Sequence, residues 1–255
     1  MGRSWTHESS VQWLRARSGY LTASDIKRLL TDCKKVASGK IDIREAQQFA
    51  KLYGEKMTEE FDPESHGPAA RGHYMEPFAL EEFCEKSGER LEWWDDRILV
   101  SHNLGFSPDA LDVPPIPFVE GFVDGDGIHH ISGVGQAPTR MAEIKCYEAG
   151  NHYQRLNAVA NGIPLEERWQ VACGMVVCPS IIEGTVVFYA PQCRNMFSKR
   201  YLRTDLLEEM DVIKAISNMW DEFVSAMNGA DIHQDKTKYR ESDIYNRYML
   251  DSMLD

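Results

Sequence analysis

The clearest regularity along the chain is a helical stripe between Ala69 and Lys86. Met75, Phe78, Ala79 and Phe83 recur there at spacings of three to four, and Gly88 follows as a stop. Upstream, ESSVQWLRA (8–16) predicts a short helix, and TASDIKRLL predicts a second that Thr22 or Ser24 caps. The charged segment from Ile43 to Phe61, with Phe49, Leu52 and Tyr53 near helical spacing, ends at the turn-rich FDPESHGP. After Gly88 the period becomes that of strands: RLEWW, RILVS, then LGFSPD ending at Asp109. A Pro- and Gly-rich excursion fills about 113–138. MAEIKCY predicts a strand, followed by helices over Gly150–Ala160 and Leu165–Val177, the strand GTVVFYAP, and a long helix from Asp205 to Met227. This alternation predicts an α/β fold in a single domain over 1–227, with a polar tail over 228–255.

The strand in TRMAEIKCYE (139–148) breaks its own apolar pattern. Side chains two apart in an extended chain share a face, so Glu143 and Lys145 stand side by side with only Ile144 between them. Partial burial of such a pair is costly unless something uses both charges. Carboxylates at Asp109 and Glu143 on neighbouring strands, with Glu76 from the helix, are able to converge on a hard cation such as Mg²⁺. Lys145 would then orient the attacking water or help deprotonate it. Pro108-Asp109 and Glu143-Ile144-Lys145 form the short pattern P-D, gap, E-x-K; the alternative is an exposed Glu-Lys pair and an ordinary turn at SPD.

Composition narrows this only locally. The 255 residues are 43% hydrophobic and 27% charged, enough for one substantial core. A net charge of −12 argues against a protein that coats nucleic acid, but does not exclude a local carboxylate site acting on it. Six cysteines without any CxxC pair read as reduced structural thiols; Cys173, Cys178 and Cys193 are too irregularly spaced for a convincing cluster. No apolar run approaches the roughly 18–20 residues that span a bilayer, and MGRSWTHESS lacks an apolar signal core, so a cytoplasmic setting without membrane is expected. DGDG at 124–127 fails as a calcium loop, because its fifth position is Ile128 and its twelfth Gly135.

Five stretches occur in order: RSGYLTAS (17–24), RGHYMEPFALEEFCEKSG (71–88), GFSPD, EIKC and ERWQVACGMVV (167–177). Together they resemble the phage lambda exonuclease family, or YqaJ-type viral recombinases, of the PD-(D/E)xK nuclease superfamily, over most of residues 10 to 190. The resemblance implies a restriction-endonuclease-like core, a central mixed β-sheet flanked by helices with the acidic cluster at one sheet edge. It also implies that Asp109, Glu143, the Ile144 carbonyl and Glu76 bind metal, two Mg²⁺ per site with Mn²⁺ able to substitute. Lys145 matches the catalytic lysine, Gln170 the glutamine of the following helix, and Arg17 and Ser24 the positions that receive a DNA 5′-phosphate. On local grounds Arg17 also suits a surface ion pair, Ser24 a helix cap, Gln170 a core hydrogen bond, and Glu76 a pair with Arg71.

The implied activity is a 5′-to-3′ exonuclease on double-stranded DNA with 5′-phosphorylated ends. It would release mononucleotides and leave 3′ overhangs, as a homotrimer working with a single-strand annealing protein in a bacterial host. An endonuclease or nickase of the same fold and an inactive DNA-end-binding scaffold are the alternatives. The chain departs from the family pattern at Ala110, where glycine is common, at Tyr147, where proline is common, and at Glu167, where an aromatic residue is frequent.

Overall fold

The computed structural model describes residues 17–58, 68–94, 98–112, 137–193 and 196–229. The expected helix at 8–16, the FDPESHGP turn except for Pro68, the excursion except for Ala137 and Pro138, and the tail beyond Gly229 lie outside the described residues.

The first helix, α1 (Ala23–Ala37), begins where the capping signal placed it. Thr22 is the N-cap, its main-chain N donating to Asp25 Oδ2 at 2.9 Å and its hydroxyl accepting from the Asp25 main chain. The expected single helix from Ile43 is instead a 3₁₀ turn (Ile43–Glu45) capped by Asp42, then α2 (Gln47–Thr58), separated at Ala46 by an extended backbone. α3 (Pro68–Ser87) ends before Gly88, whose φ of +73° lies where L side chains are strained. Its buried face is Ala79, Leu80 and Phe83, while Phe78 is 49% exposed beside Tyr74, so the apolar stripe sits about one residue away from the expected one. The small Ala79 lets the helix approach Ala142, Ile144 and Val187 of the sheet closely.

The main sheet has five strands in the order β1 (Glu92–Trp93), β4 (Ala110–Leu111), β5 (Arg140–Cys146), β6 (Glu183–Tyr189) and β7 (Phe197–Leu202). β5 and β6 are parallel and the other neighbours antiparallel, so the sheet is mixed as expected. The parallel crossover between β5 and β6 carries α4 (Ala149–Ala160) and α5 (Arg168–Val177). A separate hairpin joins β2 (Leu99–Ser101) to β3 (Leu104–Phe106), and α6 (Leu207–Gly229) follows β7 through a 3₁₀ turn.

Strand alternation divides the core into two layers. Met141, Val186 and Phe188 face α1, α2, α5 and α6 in the larger cluster. Ala142, Ile144 and Val187 face α3 in the smaller one. α5 sits very close to the sheet: a Cβ on Gly174 would lie 2.7 Å from Met141 Sδ and 2.8 Å from Phe106 Cε1. That close seat brings the first turn of α5 onto the face of β5 that carries Glu143.

Candidate active site

The expected placement of Asp109 at the end of a strand needs correction. β3 stops at Phe106, and Asp109 immediately precedes β4, which pairs with β5 through Ala110–Ala142 and Leu111–Met141. β4 is two residues long, so β5 runs on beyond it with an edge that no strand among the described residues covers on that side. Asp109 fills the first position of that edge with a side chain: its Oδ2 accepts from the Ile144 main-chain N at 2.6 Å. A strand residue points its N–H and C=O to the same side, so the Ile144 carbonyl faces this edge as well. The Ile144 side chain is fully buried in the α3 layer.

Glu143 and Lys145 share the opposite face, as alternation requires. Lys145 Nζ donates to Glu143 Oε1 at 2.5 Å, and Gln170 Nε2 from α5 donates to the same oxygen at 2.6 Å. Glu143 is 4% exposed, which excludes the alternative of a solvated Glu-Lys pair. Gln170 is therefore bonded to the acidic cluster rather than to core main chain. Glu76 is carried by α3, which packs on β5, and its charge bears on both Asp109 and Lys145. Its bonded partner is His73, one turn back, at 3.2 Å; the Arg71 side chain lies outside the described residues.

The electrostatics are unequal. Burial, then the nearby Glu143 charge, holds the Asp109 carboxyl well above the usual carboxylate range, despite Lys145 and the Ile144 N–H. Burial alone would lower the Lys145 ammonium, but Glu143, Asp109 and Glu76 outweigh it and raise it, so the lysine is charged at neutral pH. The cluster is thus short of positive charge even with its lysine in place. Two mutually repelling carboxylates beside a main-chain carbonyl edge fit a hard divalent cation. Among the described residues no three His, Cys, Asp or Glu side chains close a metal site by themselves, so water or substrate oxygens would complete the shell.

The segment RSGYLTAS runs along the β2–β3 hairpin. Leu21 bridges to Leu104, with Leu21 N donating to Asn103 O at 2.7 Å and Gly105 N donating to Leu21 O at 2.9 Å. Arg17 lies within the fields of Asp25 and Glu143: burial lowers its pKa, and those two carboxylates oppose the effect. Ser24 is exposed on the first turn of α1, where Thr22 takes the capping role. Sequence reasoning missed Lys56, which donates to Tyr20 O at 2.8 Å and Asp25 Oδ2 at 3.1 Å and so pins this segment from α2; nothing local marks it. It also missed that Tyr147 and Glu167 are partners: Tyr147 Oη donates to Glu167 Oε1 at 2.8 Å.

A family model of the YqaJ-like viral recombinase domain matches residues 12–180. The chain belongs to that family. As a YqaJ-like domain it has a central mixed sheet flanked by helices, and solved structures share its fold. An alkaline exonuclease from Laribacter hongkongensis, LHK-Exo, in complex with dAMP is 21% identical, with a TM-score of 0.59 over 90% of this chain and 98% of that one. A second structure of LHK-Exo is also 21% identical, with a TM-score of 0.54 over 86% of this chain and 96% of that one. No curated protein matches the sequence. No helix among the described residues is long and apolar enough to cross a membrane.

Proposed function

We propose that this YqaJ-like protein is a Mg²⁺-dependent exonuclease that degrades double-stranded DNA from 5′ ends, releasing mononucleotides and leaving 3′ single strands for recombination by strand annealing. The observation that carries this reading is the pair of contacts Asp109–Ile144 and Lys145–Glu143–Gln170 on successive residues of β5, where no strand among the described residues pairs beyond β4. Asp109, Glu143, the Ile144 carbonyl and Glu76 are the residues that would hold the cations. Bound there, divalent ions supply Lewis acidity and an acidified water for in-line attack on a phosphodiester.

The remaining work falls to the protein. Lys145, held as an ammonium, acts as a charge and donor that orients the attacking oxygen and offsets negative charge building on the phosphate. Gln170 fixes the direction of the Glu143 carboxylate. Arg17, set near Glu143, and Ser24, on the first turn of α1, would receive the 5′-phosphate, an arginine fork and a hydroxyl suiting a terminal dianion. The same reading includes a homotrimer around the duplex and a single-strand annealing protein as partner.

The test is digestion of end-labelled duplexes by wild type and Lys145→Ala. Linear 5′-phosphorylated, linear 5′-hydroxyl and closed circular DNA are compared in Mg²⁺. Wild type should release mononucleotides from the phosphorylated linear duplex and leave the circle intact. Lys145→Ala should lose on the order of 10²–10⁴-fold in rate while still binding duplex. Cleavage of the circle would make the protein an endonuclease, and no hydrolysis in Mg²⁺ or Mn²⁺ would leave an end-binding scaffold.

A further inference from the structure

Tyr147, Arg155 and Glu167 form a second ionisable cluster that the roles above do not use. Glu167 opens α5 and is 4% exposed. A glutamate at a helix start ordinarily serves the free N–H groups of its own first turn. Glu167 makes no such capping bond. Its Oε1 instead accepts from Tyr147 Oη at 2.8 Å and Arg155 Nε at 2.9 Å, and its Oε2 is buried with no hydrogen-bond partner among the described residues. A bare buried carboxylate oxygen carries a penalty that folding alone gives no reason to keep.

Three elements meet at this carboxylate. Tyr147 extends the β5–β6 ladder, its main-chain N donating to Tyr189 O at 2.9 Å, and its ring stacks on Phe188 with centroids 6.2 Å apart. Arg155 comes from α4, its guanidinium 5.8 Å from the Tyr147 ring centre. Alternation puts Tyr147 on the face of β5 that carries Glu143 and Lys145. The start of α5 is therefore tied to that face twice: Glu167 to Tyr147, and one turn later Gln170 to Glu143 at 2.6 Å. The turn between the ties is itself closed, Gln170 N donating to Glu167 O at 3.0 Å. Rotation of α5 about its axis, which would carry Gln170 off Glu143, has to break the Tyr147 and Arg155 bonds first.

We infer that Glu167, gripped by Tyr147 and Arg155, is a positioning residue that holds Gln170 on Glu143 and so aims the carboxylate that would ligate metal. The functional meaning rests on the nuclease reading.

The test uses the full chain with Glu167→Gln, the milder Tyr147→Phe, Gln170→Ala, and Glu167→Gln combined with Gln170→Ala. Mn²⁺ binding is followed by titration calorimetry, melting temperature as a folding control, and the Mn²⁺ concentration for half-maximal cleavage. Glu167→Gln and Tyr147→Phe should each weaken Mn²⁺ binding by roughly tenfold, with the half-maximal concentration rising in proportion. In the Gln170→Ala background Glu167→Gln should weaken binding no further. Additive losses in the combined variant, or a lowered melting temperature with unchanged Mn²⁺ affinity in both single variants, would overturn the inference and leave an ordinary structural ion pair. A wild type that binds no Mn²⁺ would remove the metal site and this role with it. A wild type that binds and cuts beside unaffected single variants would remove the positioning role alone.

Discussion

Glu143 shows how far single residues can be read. That it shares a face with Lys145 follows from the alternation of an extended chain, and the 2.5 Å contact bears this out. That Gln170 donates to the same oxygen does not follow, because 27 residues separate them and only the seat of α5 on the sheet joins them. Cys173, one turn after Gln170, allows that seat to be checked. It is fully buried, and burial, followed by the fields of Asp25 and Glu143, pushes its thiol up to about 12. The thiolate is the reactive form, so Cys173 is expected to resist iodoacetamide at pH 8 and to react only after denaturation. Peptide mapping by mass spectrometry, with the partly exposed Cys193 as internal comparison, gives the measurement; labelling of both at equal rates in native protein would mean that α5 does not rest where described.

At the level of elements, legibility depended on length and on how many sides an element buries. α1, α3, β5 and β6 were readable because each keeps a long apolar period. β4 was not, since two residues cannot display a period, and with it the strand assignment of Asp109 slipped by one element. β7 was missed entirely: it is an edge strand in which only Tyr201 is buried, held by its ladder to β6, so its pattern reads as polar. Phe78 misled in the other direction, since an aromatic residue near the stripe need not lie on the buried face. The start of α1 was legible to within two residues, Thr22 or Ser24, and the structure gives Thr22; Thr22→Ala should cost about 1 kcal/mol in denaturant unfolding by removing the cap. A change within about 0.2 kcal/mol of zero would show that the reciprocal Asp25 bond alone holds that terminus.

For the whole molecule, a net charge of −12 and an acidic site on one sheet edge are the same kind of fact at two scales. Burial and then repulsion from Glu143 raise Asp109, and any cation that binds there relieves the repulsion, so ligand binding should stabilise the fold. Saturating Mg²⁺ or Mn²⁺, at about a hundred times its dissociation constant, should add roughly 2.7 kcal/mol. Asp109→Asn should shrink the resulting rise in melting temperature, measured by differential scanning fluorimetry; an equal rise in the variant would place the stabilising ion elsewhere. The sequence by itself determined the α/β alternation, the candidate acids and the shared face of Glu143 and Lys145, because helix and strand periods are local and repeat within a few residues. The tertiary structure alone decided that Gln170 reaches Glu143, that Arg17 lies within the field of Glu143, and that Tyr147 and Glu167 are partners. Such pairings depend on how closely a helix seats on a sheet, and that distance is set by side-chain volumes from distant parts of the chain acting together.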